Sequence, residues 1–422
     1  MRILFIVPYV PNLIRVRPFN IIRGLAERGH SITLLTTWSE EGEQESLKAV
    51  REHCQAVIAL RQPHWRSLLN CLGALPTGQP LQSVFAWNRQ LARSAEQLAL
   101  DSNGRSAFDV VHVEHLRGAR YGLALRRNLQ ERGYPLPVVW DSVDSISLLF
   151  RQAKMRSKSL FGRGITRLDL KRTERYEGWL VGQFECVLVT SPTDQRALND
   201  LAGKADAPIV VLPNGVDLNY FQPAAREIRE RETIVLSGKM SYHANVTMVL
   251  HFLEEILPRI WKQRPTVRVI IVGKDPPTKI TAWRSDRRVE VTGTVSDIRP
   301  YLSRATLAAC PIAYGVGIQN KVLEAMACST PVIASSQAVS ALQAEPGEHL
   351  LVADNVDDFA REILNLLEDD IRRERLGLAG RRYVEQYHDW DLIAAKLEEI
   401  YMKAIAVIKF GSKMEWKMEM RC

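Results

Sequence analysis

Near residue 320 the chain brings together residue types able to hold an anion. In AYGVGIQNKVLEAMACSTPVIAS, the apolar run LAACPIA leads into Gly315 and Gly317, then Ile318, Gln319 and Asn320. Helical spacing follows, placing Lys321 in the first turn and Glu324 one turn later. Glycines let backbone amides approach an anion, and a helix N-terminus offers unpaired N–H groups at the positive end of its dipole. A nucleotide diphosphate fits such a cradle, with Lys321 reaching a phosphate and Glu324 accepting hydrogen bonds from vicinal hydroxyls such as those of ribose. The same residues also read as an ordinary glycine turn with two surface charges on a helix.

The first half holds three further groups. FDVVHVEHLRG ends a strand pattern with His112, Glu114 and His115. By alternation Glu114 shares a face with His112, while His115 begins the following loop. His115 is the better candidate to hydrogen-bond a substrate hydroxyl or a departing phosphate, with Glu114 orienting it or stabilising positive charge. His112 reads as a histidine satisfied inside the sheet. Two histidines three apart with no third ligand make a poor metal site, and no metal is expected. WDSVDS offers Asp141 after a strand, as an acceptor-binding carboxylate or as part of a helix-capping segment. In PYVPNLIRVRP, Arg15 and Arg17 suit an anionic acceptor or the phosphates of the nucleotide, or else neutralise nearby carboxylates.

These groups need strands to end beneath them. RILFIV reads as a buried parallel strand, FNIIRGLAERGH as a helix ended by Gly29, and SITLLTT as the next strand. The same grammar restarts at Thr233 with TIVLSG, the helix MVLHFLEEILPRIWKQ and VRVIIVG. Further strands fit FDVVHV, LPVVWD, VLVTS, PIVVLPN, VEVTG, LAACPIA and PVIAS. The expected class is therefore α/β, with two doubly wound halves whose ligands lie beyond the carboxyl ends of the strands. Turn and charged residues in PNGVDLNYFQPAAREIRERE set the linker at residues 213–232, between a first domain at 1–212 and a second at 233–388. Residues 389–422 are expected to form a helix crossing back to the first domain and a frayed tail, KFGSKMEWKMEMRC.

A length of 422 residues suits two such domains, and 46% hydrophobic with 25% charged residues excludes disordered and collagen-like classes. No run approaches a membrane span and MRILFIVPYV does not resemble a secretory signal, so a cytoplasmic protein is expected. Cys54, Cys71, Cys186, Cys310, Cys328 and Cys422 are too scattered for a metal or disulfide framework. Residues 1–206 carry 28 Lys and Arg against 20 Asp and Glu, which is the whole net charge of +8. That excess, with nine basic and two acidic residues between Arg151 and Arg175, suits peripheral contact with anionic lipid as well as a solvated surface. No reading motif for nucleic acid accompanies it.

NKVLEAMACSTPVIAS resembles the donor-site signature of the GT-B glycosyltransferases, retaining family 4. PNGVDLNYFQP is similar to that family's linker motif, and SGKMSYHANVTMVLHFLEEILPRI, VIIVGKDPP and VTGTVSDIRPYL resemble its donor-domain order, together covering most of residues 185–400. GIQNKVLEAMA and MSYHANV look most like the sugar transferases of bacterial exopolysaccharide clusters. The resemblance implies two Rossmann-like domains facing across a cleft and a nucleotide-diphosphate sugar as donor. It also implies retention of anomeric configuration and no required cofactor.

By position, Lys239 after Gly238 corresponds to a phosphate-contacting base, and Glu324 to the second of two glutamates, the ribose-binding one. Gly273, Lys274 and Asp275, with Val295 and Asp297, stand where the family surrounds the nucleobase. Two positions depart from the pattern. Val316 replaces the first glutamate, eight residues before Glu324, and Asn245 stands about where a second phosphate-contacting lysine is usual. Lys321 offsets that lost charge, and the amides of Gly317 to Asn320 hold the sugar and diphosphate without a carboxylate.

The expected reaction is transfer of the sugar to an acceptor hydroxyl of a glycan, a lipid-linked sugar or a small molecule. Two alternatives are an epimerase acting on nucleotide sugars with the same architecture and a degenerate nucleotide-binding subunit. A nicotinamide oxidoreductase fits less well, because the full glycine fingerprint is missing after the first strand.

Overall fold

The computed structural model describes residues 1–12, 16–100, 106–156, 160–203, 207–223, 229–240, 242–314 and 317–410, with backbone alone for 153–156 and 160–168. Arg15, Gly315, Val316 and the tail from residue 411 lie outside the described residues. The chain divides into two compact units, Met1–Pro213 with the segment from Trp390, and Asn214–Asp389.

The first unit is built on a seven-stranded sheet comprising β1 (Arg2–Val7), β2 (Ser31–Trp38), β3 (Ala56–Arg61), β4 (Val110–Glu114), β5 (Val138–Val143), β6 (Cys186–Val189) and β7 (Ile209–Val211). Its order is β3-β2-β1-β4-β5-β6-β7, with every pairing parallel. Both faces are covered, which is why β1 reads as unbroken apolar sequence. Leu4 and Ile6 pack with Leu116, Leu125 and Leu129 of the helix His115–Glu131. Ile3, Phe5 and Val7 pack on the opposite face with Phe19 and Ile22 and with Trp390, Ile393, Leu397 and Tyr401 of the helix Trp390–Phe410. That final helix lies close against the helix Val16–Glu27. A Cβ on Gly24 would stand 2.8 Å from Ala394 Cβ.

The second unit holds β8 (Thr233–Ser237), β9 (Arg268–Val272), β10 (Val289–Gly293), β11 (Leu307–Cys310), β12 (Val332–Ala334) and β13 (Leu351–Val352) in the order β10-β9-β8-β11-β12-β13, again parallel. The strand order reverses direction between β8 and β11, so the loops after these two strands flank the place where doubly wound sheets take ligands. The expected helix MVLHFLEEILPRIWKQ is continuous but changes pitch. A π segment, Phe252–Ile256, separates His243–His251 from Leu257–Gln263. Pro258 explains this, since it has no N–H and its ring crowds the carbonyl four residues earlier.

Two strands escape the sequence reading. β3 is a half-buried edge with no strict alternation, and β13 is two residues long.

Candidate functional site

Within the second unit, the loops after β8, β9 and β11 converge. Gly238 follows β8 with φ +145° and Gly273 follows β9. The two backbones touch so closely that a Cβ on Gly273 would lie 1.8 Å from the Gly238 carbonyl oxygen. Gly238 N–H donates to Val272 O at 3.1 Å and Met240 N–H to Lys274 O at 2.8 Å, tying the two loops together. A Cβ on Gly238 would meet Asn245 Nδ2 at 2.8 Å and Lys321 Cε at 3.2 Å, so Lys321, from the helix that follows the β11 loop, reaches this same turn. Asn245 Nδ2 donates to Lys239 O at 2.8 Å, which fixes the loop and leaves the Lys239 side chain exposed. Asn245 thus acts on the backbone beside Lys239.

The turn after β11 has Gly317 at φ +67°, a conformation that penalises any side chain. Behind it the helix Asn320–Ala327 starts at Gln319 with no side-chain cap. Among the described residues, the N–H groups of Gly317, Ile318, Gln319 and Asn320 have no hydrogen-bond acceptor. Unpaired N–H groups at a helix start normally find water, a cap or an anion. Asn245 Oδ1 and Asn320 Oδ1 are both buried without a donor, a state that costs about 1–3 kcal/mol each unless a ligand or water supplies one. Lys321 Nζ donates to Gln319 Oε1 at 3.0 Å, holding a cation beside the open turn.

Burial pushes the Glu324 carboxyl up to about 7, with Lys321 pulling it back. Its oxygens accept no hydrogen bond among the described residues, which leaves them available to hydroxyl donors. In the unfolded chain the carboxyl ionises near its ordinary value, so folding must bear the cost of the buried charge above pH 7. That cost fades as pH falls from about 7 to the ordinary value near 4.5. Glu324→Gln is therefore expected to raise stability by about 1–2 kcal/mol at pH 8 and to make no difference near pH 4. Thermal unfolding at the two pH values checks this.

The remaining residues of this unit are spread around the same end of the sheet. Asp275 is exposed at φ +58° and Val295 is half-buried. Asp297 is engaged by its neighbours, with Arg299 Nε and Nη2 at 3.0 and 2.7 Å and Tyr220 O–H donating at 3.1 Å. It is thereby held below the usual carboxylate range, chiefly by Arg299. The sequence reading missed the pair formed by His243 Nδ1 and the Tyr314 hydroxyl, which links the loops after β8 and β11. Residues 71 apart on separate loops leave no periodic signal.

In the first unit β4 and β5 lie side by side with Glu114 opposite Asp141. Arg17 and Asp141, both expected at an acceptor, are instead buried against each other. Arg17 Nε and Nη2 lie 2.9 and 2.8 Å from Asp141 Oδ2, and Nη1 donates to Leu212 O and Pro213 O. Either charge buried without the other would be left uncompensated, and this explains the pairing. His112 joins them from inside the sheet. Tyr401 O–H and His112 Nδ1 share a 2.8 Å hydrogen bond, Phe5 stacks on the ring at 4.1 Å, and burial holds the imidazole neutral.

His115 opens the helix after β4 at φ +64° rather than lying in a loop. Its Nδ1 accepts the Arg117 N–H at 3.3 Å, and its carbonyl accepts from Trp140 Nε1. Burial, assisted by Arg117, pushes its pKa down to about 3. Glu114 is buried and accepts the Tyr9 hydroxyl at 2.9 Å. Among the described residues no group of three or more His, Cys, Asp or Glu is arranged to hold a metal, and no helix is long and apolar enough to cross a membrane.

Comparison with known proteins bears on both units. Residues 16–220 match the family described as Glycosyltransferase Family 4, and residues 231–369 match Glycosyl transferases group 1. A glycogen synthase of Mycobacterium tuberculosis is 23% identical over 395 residues, covering 90% of this chain and 88% of that protein. A GDP-mannose-dependent phosphatidylinositol monomannoside mannosyltransferase of Corynebacterium glutamicum is 29% identical over 210 residues, 45% of this chain and 55% of that one. Among solved structures, HepE of Anabaena in complex with UDP and glucose superposes with a TM-score of 0.67 at 16% identity, covering 96% of this chain and all of that one. Sucrose-phosphate synthase of Thermosynechococcus elongatus gives 0.66 at 18% identity over the same shares.

Proposed function

The chain belongs to the GT-B glycosyltransferases, with a family 4 domain followed by a group 1 domain, and we propose that it moves a sugar from a nucleotide-diphosphate sugar to an acceptor hydroxyl with retention at the anomeric carbon. The observation that carries this reading is the uncapped helix start at Asn320, with a row of N–H groups that find no acceptor among the described residues, set beside Lys321 and the Gly238 turn.

In this reading the diphosphate lies on the Gly317 to Asn320 amides, with Lys239 and Lys321 offsetting the charge that builds as it leaves. Glu324 accepts the ribose hydroxyls, and Asp275 and Val295 border the base. The bond from the anomeric carbon to the phosphate oxygen breaks while the acceptor oxygen bonds to the same face. The departing phosphate oxygen takes the acceptor proton, so no protein nucleophile is needed. His115 remains neutral at physiological pH because its pKa is about 3. With Nδ1 occupied as an acceptor, its Nε2–H is the donor that His115 offers to a substrate hydroxyl. The first unit takes the acceptor, for which a glycan or a lipid-linked sugar at an anionic membrane surface suits the net +8 of residues 1–206.

HepE was solved with UDP and with UDP-glucose, while the Corynebacterium relative is GDP-mannose-dependent. Uridine and guanosine sugars are therefore the first donors to test. Incubation with labelled UDP-glucose and GDP-mannose and a lipid or glycan extract is expected to give transfer, with proton NMR showing the donor's anomeric configuration kept in the product. Stereochemical scrambling without acceptor would mark an epimerase, and binding without turnover a degenerate subunit.

A further inference from the structure

The helix His64–Ala74 is inside out. Its inward face is small and polar. Ser67 and Ala74 are buried, Asn70 Nδ2 donates to Trp87 O at 2.9 Å, and Cys71 Sγ contacts Leu81 O. Trp65, Leu68, Leu69 and Leu72, with Leu75 just beyond the helix, form a stripe at three- and four-residue spacing that faces outward, each 47–60% exposed. Folding of the first unit gives no reason for this, since a helix normally turns such a stripe to the core. An exposed contiguous apolar patch marks a surface that something covers.

The rim of the stripe is cationic. Arg66 is exposed and its guanidinium lies 5.3 Å from the Trp65 ring centroid. Arg172 Nη2 donates to Leu75 O at 2.8 Å, which brings the basic helix Leu160–Val181, with exposed Lys171 and Arg175, against the end of the stripe. Among the described residues, the one carboxylate paired to the helix His64–Ala74 is that of Glu40, 3.9 Å from His64 Nε2.

We propose that this face docks the protein onto an anionic phospholipid bilayer, with the helix lying in the interface plane. Leucines enter the acyl boundary, Trp65 sits at headgroup depth and the arginines meet lipid phosphates. A second copy of the chain is a poorer occupant, because a two-fold interface would set Arg66 and its neighbours against their own copies. The inference deepens the membrane part of the proposed function. It is tested without any transfer assay, so the two can fail separately.

The full chain is sedimented with phosphatidylcholine vesicles with and without phosphatidylglycerol, alongside Leu69→Gln/Leu72→Gln and Arg66→Glu. Association with the anionic vesicles alone is expected, weakening with salt. The double variant should lower it about tenfold or more and Arg66→Glu severalfold, with circular dichroism unchanged. Trp65→Phe should remove a blue shift of tryptophan emission seen on vesicle addition. The proposal is overturned if anionic vesicles do not bind, if the double variant binds as well as the parent, or if the parent is a dimer that the variant converts to monomer. Nucleoside diphosphate binding, measured on the same samples, reports on the donor site independently.

Discussion

Lys321→Ala is expected to lower glycosyl transfer about a hundredfold or more while leaving the fold intact. Its ammonium sits 3.0 Å from Gln319 Oε1, its Cε borders the Gly238 turn, and it stands in the first turn of the helix that begins at Asn320. A charge placed where negative charge develops contributes about 3–4 kcal/mol to the transition state when water is excluded. The ground-state diphosphate carries less concentrated charge on its leaving oxygen, so kcat should fall more than KM rises. Lys239→Ala combined with it should exceed either single change without being additive, because both act on one leaving group. Steady-state kinetics with the active donor supplies the check. A fall below fivefold in the double variant would place the diphosphate elsewhere.

Gly273→Ala is expected to weaken nucleotide binding at least tenfold. Its Cβ would lie 1.8 Å from the Gly238 carbonyl oxygen, and backbone cannot swing aside as a long side chain does. One loop must move, carrying Gly238 and Lys239 with it and straining the Asn245 bond to Lys239 O. Overpacking of this kind costs about 1–3 kcal/mol in stability. The larger effect is on affinity, since the turn no longer presents Lys239 where it stands now. Calorimetric titration with a nucleoside diphosphate should show at least a tenfold loss, with Tm lowered by only a few degrees. Gly42→Ala, where nothing lies within 4 Å of the added carbon, is the control.

The strands that carry the site were legible because a parallel strand buried on both faces leaves a continuous apolar run, as in Arg2–Val7 and Arg268–Val272. The turn after β11 was legible because its glycines and its helix follow one another in the chain. Relations across the chain were not. Arg17 and Asp141 are 124 residues apart, and no periodicity shows that each satisfies the other. His115 reads as the start of a loop because composition does not reveal its φ of +64° at a helix start. For His64–Ala74, spacing tells which residues share a stripe, but only the packed structure tells that the stripe faces outward. The Asn245 and Asn320 acceptors left without donors are features of burial, invisible in residue types.

The most direct measurement is a crystal structure of the protein with a nucleoside diphosphate bound. The diphosphate oxygens should lie within hydrogen-bonding distance of the Gly317 to Asn320 amides, with Lys321 Nζ released from Gln319 onto a phosphate and Glu324 on the ribose. A nucleotide seated away from that turn, or those amides pairing with protein acceptors in the complex, would contradict the account.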